Sequence, residues 1–152
     1  MDDDSPAGLA RDARALFEGQ KNGVLATLTP QDGYPYTSLV EYAPLPDGDA
    51  LLFLSSLAEH RRFLEADPRA SLWVGPAGAA LDQARLSLRG RVLPAPDRDA
   101  LAPLYLGAHP EAERYIDFGD FAFFRLRVER ARFIAGFGRM GWIEGDSFRE
   151  AP

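Results

Sequence analysis

Two serines and a cluster of basic residues lie close together near the middle of the chain. Ser55 and Ser56 follow a run of apolar residues, and His60, Arg61 and Arg62 come shortly after them. The apolar run is typical of a strand buried on both faces, and the residues after the serines have the pattern of a short helix. Because the free N–H groups and the dipole at a helix start attract anions, this stretch predicts a phosphate-binding site.

The same stretch has a second interpretation that involves no ligand. Ser56 and Glu59 have the spacing of a capping box, in which each side chain hydrogen-bonds to the main chain of the other residue. Such an exchange would stabilise only the helix, and the carboxylate of Glu59 would repel a phosphate. The local residues leave both interpretations open.

Composition limits the chemistry that the chain can perform. It has 152 residues, no cysteine and two histidines, His60 and His109. The lack of cysteine excludes disulfides, thiolate metal sites and a cysteine nucleophile. Because zinc sites without sulfur usually draw on several imidazoles, no dedicated metal site is expected. The net charge of −6 argues against nucleic acid or an anionic membrane as a partner.

The termini and the length predict a single cytoplasmic domain. Residues 1–4 are acidic after the initial methionine and lack the positive start of a secretory signal. No apolar run approaches the roughly 20 residues that a membrane span needs. One domain over 1–152 is expected, with 1–4 as a flexible N-terminus and 144–152 as a C-terminal tail.

The elements that must position the serine and basic cluster are mostly strands. Helices are predicted over 6–19, 57–66, from about 94–97 to 107, and 110–115, the first with Ser5 as its N-cap. Six segments have strand patterns: 23–29, 36–42, 50–54, 70–74, 84–93 and 121–132. The alternation slips at Arg130, which predicts a β-bulge or a change of partner strand. Short strands joined by turns indicate a mainly β, six-stranded antiparallel barrel or sandwich with peripheral helices.

Two other kinds of site are disfavoured. A serine hydrolase would be expected to show a Gly-x-Ser-x-Gly turn, and the chain has none. Gly136, Gly138 and Gly141 match the letters of a dinucleotide-binding fingerprint. That fingerprint requires a following helix in a βαβ unit, which the pattern does not predict, so the match is rejected.

Several stretches taken in order resemble one family. They are 23–28, 34–40, 55–60, 67–72, 85–90, 109–121 and 136–138. In this order they resemble the FMN-binding split barrels related to pyridoxamine 5′-phosphate oxidase, and most closely the branch of haem-utilisation proteins. The resemblance covers nearly the whole chain after the first helix, and it implies a six-stranded split β-barrel.

The resemblance also implies a homodimer with FMN at the subunit interface and a small-molecule substrate. The second strand would pass beside the flavin, the serine and basic cluster would surround its phosphate, and Arg85 would reach the ring or the ribityl chain. A loop over 136–142 would come from the partner subunit. The cofactor-binding residues implied are Tyr36, Thr37, Ser38, Leu39, Val40, Ser55, Ser56, His60, Arg61, Arg85, Arg139 and Trp142.

Departures from the family pattern shape the expected function. Tyr36 and Glu41 stand where the oxidase has basic residues, and Arg139-Met140-Gly141 lacks the histidine of its Arg-x-His motif. We therefore expect a flavin-dependent oxidoreductase with a different substrate, and no residue stands out as catalytic. Two alternatives stay open: haem binding or degradation on the same scaffold, with His60, His109 or Met140 as the haem ligand, and a non-catalytic dimeric regulator.

Overall fold

Eight antiparallel strands form one sheet that curls into a split barrel. The computed structural model describes residues 4–136 and 138–152. Its strands are β1 Asn22–Leu28, β2 Pro35–Glu41, β3 Ala43–Pro44, β4 Ala50–Ser55, β5 Arg69–Val74, β6 Arg85–Pro94, β7 Phe121–Gly136 and β8 Arg139–Glu144. Their order is β2-β1-β5-β6-β7-β4-β3, with β8 paired to β7. The mainly β class is confirmed, but the expected count of six strands missed β3 and β8.

Helices surround the sheet. They are α1 Pro6–Gly19, α2 Glu59–Ala66, α3 Arg98–Ala108, α4 Gly145–Glu150 and a 3-10 helix over Pro110–Arg114. The predicted cap of α1 is confirmed, because Ser5 Oγ accepts a hydrogen bond from the Gly8 amide at 3.1 Å. The expected flexible N-terminus lies almost entirely outside the described residues. Residues 144–152, expected as a tail, contain α4.

Strand β4 separates two hydrophobic clusters. Leu52 and Leu54 belong to the larger cluster inside the barrel, together with Phe17 of α1. Leu51 and Phe53 point the other way, into a smaller cluster under α3. Every residue of β4 before Ser55 is buried, so the predicted strand with two buried faces is confirmed. Such a strand holds Ser55 and the start of α2 in a rigid frame.

A β-bulge lies where the alternation slips. Arg89 pairs with Arg130 and Gly90 pairs with Val128, so Glu129 is the extra residue on β7. A Cβ atom built on Gly90 would lie 1.8 Å from the Arg127 carbonyl oxygen, so only glycine fits beside the bulge. The predicted irregularity near Arg130 is confirmed.

Helix α4 is held by a buried arginine. The Nη1 atom of Arg14 donates to the main-chain oxygens of Phe148 at 3.1 Å and Arg149 at 2.8 Å. The Arg14 side chain is 5% exposed and also pairs with Glu18. Phe148 is fully buried against Phe17, with ring centroids 5.6 Å apart. Arg14 thus satisfies carbonyl groups at the end of α4 that have no helical partner.

The last two strands form a hairpin. Gly136 and Gly138 have positive φ angles of 131° and 80°, which other residues rarely adopt. After this turn β8 runs back along β7, so the rejection of the dinucleotide fingerprint agrees with the fold. Among the described residues, no helix is both long and apolar enough to span a membrane.

Candidate functional site

A cavity of about 270 Å³ lies between the end of β4, the start of α2 and the edge strand β2. We call it the α2 cavity. It contains four residues that the sequence predicts as cofactor ligands: Leu39, Val40, Ser55 and His60. Its full lining is Leu39, Val40, Glu41, Phe53, Leu54, Ser55, Ala58, His60, Tyr105, Tyr115 and Phe121. The cavity therefore joins the predicted phosphate site to the second strand.

The start of α2 has no side-chain cap. Its N-cap is Ala58, and the helix begins at Glu59, two residues later than predicted. Ser55 Oγ accepts from the Leu57 amide at 3.1 Å and donates to Asp120 Oδ2 at 2.8 Å. Ser56 is exposed. The capping-box interpretation is therefore wrong, and the first-turn N–H groups of residues 59–61 have no acceptor in the helix.

His60 reaches into the α2 cavity from this uncapped turn. The histidine is half-buried, and burial lowers its pKa from the ordinary value of 6.5. A lowered pKa keeps the imidazole neutral at neutral pH, so one ring nitrogen donates and the other accepts. His60 can thus donate a hydrogen bond to an anion, and an anion would favour its protonated form.

Arg61 stabilises the wall of the α2 cavity from the side that faces away from the cavity. Its Nη1 atom donates to the main-chain oxygens of Leu54 at 3.1 Å and Asp120 at 2.9 Å. Its Nε atom pairs with Glu65 at 3.2 Å, and its guanidinium stacks over the Phe124 ring at 5.2 Å. These contacts tie α2 to β4 and to the turn before β7. Arg61 holds the cavity wall in place and does not line the cavity.

Strand β2 is an edge strand beside α2. Among the described residues it pairs with β1 alone, which leaves one row of its main-chain groups without a ladder partner. Tyr36 on its inner side contacts Phe63 of α2, with ring centroids 5.3 Å apart. Ser38 lies on the same side, and its buried Oγ atom has no hydrogen-bond partner in the described chain. Thr37 and Leu39 are exposed on the outer side.

Arg85 lies in a neighbouring groove. This groove has a volume of about 420 Å³ and shares Leu39 with the α2 cavity. The Nη1 atom of Arg85 donates to the carbonyl oxygens of Leu81 at 2.8 Å and Gln83 at 3.2 Å. Leu39 is 76% exposed between the two spaces. An elongated ligand that crossed Leu39 would reach Arg85.

Arg139 and Trp142 lie on β8 and line neither of these spaces. Arg139 forms ion pairs with Asp4 and Asp12, each at 2.8 Å. Three guanidinium groups lie 4.5 to 5.7 Å from the centroid of the Trp142 ring, those of Arg89, Arg130 and Arg132. The contribution of Arg139 and Trp142 to the partner subunit's cofactor site stays a prediction.

Sequence reasoning missed Tyr105 and Tyr115 in the cavity lining, and it named His109 only as a possible haem ligand. Burial raises the pKa of both Tyr105 and Tyr115, which keeps their hydroxyl groups protonated. His109 packs on Tyr105 with ring centroids 4.9 Å apart, and its Nδ1 atom faces Glu41 and Glu111. The signal was the aromatic residue four positions before the His-Pro pair, because this spacing of about one helical turn brings the two rings together at the end of α3.

The antiparallel split barrel defines the fold class, and the sequence places the chain within one family. The family model described as pyridoxamine 5′-phosphate oxidase matches residues 9–135. The chain therefore belongs to the pyridoxamine 5′-phosphate oxidase family, and the recognition made from its sequence stretches is confirmed.

Three similar proteins have different functions. The chain is 34% identical over 126 residues to the chloroplastic heme oxygenase HOZ of Arabidopsis thaliana, covering 81% of this chain and 39% of that one. A heme binding protein from Mycobacterium smegmatis has 38% identity and a TM-score of 0.85, covering 93% and 60%. A FAD-binding protein from Mesorhizobium loti has 20% identity and a TM-score of 0.65, covering 79% and 89%, which shows the fold alone. The chain thus spans less than two thirds of the length of each of the first two proteins.

Proposed function

We propose that the protein binds FMN in the α2 cavity and acts as a flavin-dependent oxidoreductase on a small molecule. The observation that carries this proposal is the uncapped first turn of α2, whose residues Ala58 and His60 line the cavity. Free helical N–H groups beside a hydrogen-bonding imidazole match the needs of a phosphate group. Membership of the pyridoxamine 5′-phosphate oxidase family supports the same cofactor.

The residues around the cavity suit the parts of FMN. The first turn of α2, with Ser56 and His60, would hold the phosphate, while the Ser55 hydroxyl keeps the turn in place through Asp120. The free edge of β2 and the unsatisfied Oγ atom of Ser38 offer hydrogen bonds to the polar edge of a ring system. Arg85 would contact the ring or the ribityl chain. When bound, the flavin would supply electron or hydride transfer.

The phosphate is the sharpest feature to test. We expect FMN to bind to the cofactor-free protein at least about 100-fold more tightly than riboflavin, since charge-assisted hydrogen bonds to a phosphate are strong. Flavin fluorescence quenching measures both dissociation constants. In His60→Gln the ratio of the two dissociation constants should fall about tenfold. In Arg127→Gln it should stay the same, because Arg127 is exposed and lines neither the α2 cavity nor the Arg85 groove. Equal affinities for FMN and riboflavin in the unmodified protein would refute the phosphate site.

Haem is the second candidate ligand. Two relatives with more than 30% identity are a heme oxygenase and a heme binding protein. In this chain, His60 and the aromatic lining of Phe53, Tyr115 and Phe121 offer an imidazole beside apolar rings. Haemin titration followed by its Soret absorption tests this. A shifted band that is lost in His60→Ala supports haem. If the spectra of His60→Ala and His109→Ala both equal that of the unmodified protein, neither histidine is the haem ligand.

We also propose a homodimer in which the cofactor lies between subunits. Leu39 and Leu81 both line the Arg85 groove and are 76% and 75% exposed, and exposed apolar residues that are grouped together mark interaction surfaces. Light scattering coupled to gel filtration measures the mass. We expect a dimer that Leu39→Asp weakens together with FMN affinity. A monomer with full FMN affinity would contradict the shared site.

A further inference from the structure

We propose that Glu41, His109 and Glu111 bind a divalent first-row transition-metal ion, with Zn²⁺ as the probe. Glu41 ends β2, His109 follows α3, and Glu111 lies in the 3-10 helix. The Nδ1 atom of His109 lies 3.2 Å from Glu41 Oε2 and 3.5 Å from Glu111 Oε1. One ligand atom from each of the three side chains lies within 4.8 Å of the others.

The hydrogen bonding of His109 directs a lone pair at the two carboxylates. Its Nε2 atom lies 2.7 Å from the main-chain oxygen of Tyr42. A carbonyl oxygen only accepts, so Nε2 carries the hydrogen and Nδ1 of the neutral ring is an acceptor. The His109 side chain is 3% exposed, and the groups that face that lone pair are the two carboxylates. Three acceptors therefore converge on one point, where a metal ion, or a proton on Nδ1, would stabilise the arrangement.

The distances suit a metal ion. Transition metals lie about 2.0–2.2 Å from nitrogen and oxygen ligands, so two ligand atoms at a tetrahedral or octahedral angle are about 3.0–3.5 Å apart. Both measured separations from Nδ1, 3.2 and 3.5 Å, fall in that range. The side chains of Glu41 and Glu111 are 46% and 54% exposed. They can rotate onto an ion and leave further positions open to solvent.

The ligand set favours a transition metal over Mg²⁺ or Ca²⁺. Both of those ions prefer oxygen ligands alone, whereas an imidazole with carboxylates suits ions such as Zn²⁺. The Nε2 bond to the Tyr42 carbonyl is the outer contact that metal-binding histidines usually make, and it fixes the ring. Tyr105 packs against the same ring. The expectation of no metal site rested on the count of histidines, which cannot reveal a mixed set of one imidazole and two carboxylates.

The site adjoins the α2 cavity without depending on it. Glu41 lines the cavity on one side and faces His109 on the other. An ion here would lie beside Glu41, which also lines the cavity. The proposal stands whether the cavity holds FMN, haem or another ligand, since its three residues are positioned by β2, the end of α3 and the 3-10 helix.

Zinc binding to the metal-stripped, cofactor-free protein tests the proposal. We expect isothermal titration calorimetry to show one Zn²⁺ per chain. Glu41→Gln and Glu111→Gln should each weaken binding at least about tenfold, because each removes one ligand charge. Glu113→Gln is the matched control, since Glu113 is an exposed glutamate on the same 3-10 helix outside the cluster. It should bind as the unmodified protein does.

A second measurement separates a metal from a proton at the same point. Nitrogen NMR of the two histidine rings should show Zn²⁺ shifting Nδ1 of His109 and leaving the ring of His60 unchanged, with the His60 signals assigned from His60→Gln. Three outcomes would overturn the proposal: no stoichiometric Zn²⁺ binding, an affinity equal in Glu111→Gln and Glu113→Gln, or a Zn²⁺ shift confined to His60. In the first case a proton occupies the site and joins His109 to the carboxylates as an ion pair.

Discussion

The guanidinium of Arg61 donates a hydrogen bond to the main-chain oxygen of Asp120 at 2.9 Å, across 59 residues of sequence. The same nitrogen donates to the carbonyl oxygen of Leu54. Ser55 Oγ, one residue on, donates to the carboxylate of Asp120. The end of β4, the start of α2 and the turn before β7 are thus joined at one point behind the α2 cavity.

We therefore expect Arg61 to contribute to the stability of the fold without contacting a ligand directly. Arg61→Ala removes a donor from the main-chain oxygens of Leu54 and Asp120, although the Asp120 oxygen keeps its hydrogen bond from the Ser56 amide. We expect the free energy of unfolding to fall by about 1–3 kcal/mol. Arg62, its exposed neighbour, is the control, and Arg62→Ala should change that free energy by less than about 0.5 kcal/mol. Urea unfolding measures both values. Similar values for the two variants would contradict the bracing role.

Charge reversal at Arg61 and Arg62 tests the placement of the cofactor. Arg61→Glu should weaken FMN binding far more than Arg62→Glu, because the first disturbs the wall that presents the start of α2. Fluorescence titration of folded protein, checked by circular dichroism, gives the two dissociation constants. If both reversals have the same effect, the phosphate does not lie at this wall.

The pH dependence of stability should report on His60. Burial lowers its pKa from 6.5 in the folded protein, so the unfolded chain takes up a proton more readily. Its contribution to stability is present above pH 6.5 and is lost as the pH falls through the lowered pKa. We expect His60→Gln to lose less stability than the unmodified protein between pH 7 and pH 5 in urea unfolding. An identical pH dependence would mean that the ring is solvated.

Substitution of Ser38 should have opposite effects on the stability of the protein and on its affinity for FMN. Its buried Oγ atom has no partner in the described chain, so Ser38→Ala removes an unsatisfied hydroxyl and should raise the free energy of unfolding by up to about 1 kcal/mol. If the hydroxyl contacts the cofactor, the same change should weaken FMN binding about fivefold. Ser147→Ala, at an exposed position on α4, should alter neither quantity. A loss of stability in Ser38→Ala would show that the hydroxyl has a structural role.

Sequence patterns predicted the long elements well and the short ones poorly. Strand β4 and the bulge at Arg130 follow from local alternation, which the chain itself carries. The start of α2 does not, because Ser55 is engaged by Asp120, a residue distant in sequence. Likewise, α4 has six residues and no strong helical periodicity, and its position depends on Arg14. The His109 cluster joins three segments through tertiary contacts that no local pattern records.

The short α4 should be essential to the fold. Phe148 is completely buried, and Phe148→Ala should lower the free energy of unfolding by about 3–5 kcal/mol. Arg14→Ala should cost about 2–4 kcal/mol, because carbonyl oxygens of α4 and the carboxylate of Glu18 lose their donor. Arg114→Ala, at an exposed arginine, should change little. Chemical unfolding gives all three, and a mild effect of Phe148→Ala would mean that α4 detaches without unfolding the barrel.

Gly90 should be irreplaceable at the bulge that positions the second half of β7. A Cβ atom there would lie 1.8 Å from the carbonyl oxygen of Arg127, so Gly90→Ala must shift the main chain of β6 or β7. We expect the free energy of unfolding to fall by about 2–4 kcal/mol. Gly19, at the end of α1, has no atom within 4 Å of an added Cβ, and Gly19→Ala should be neutral or stabilise by up to about 1 kcal/mol. The contrast between two alanine substitutions, measured by thermal and urea unfolding, isolates the close approach of the strands from the general effect of removing a glycine.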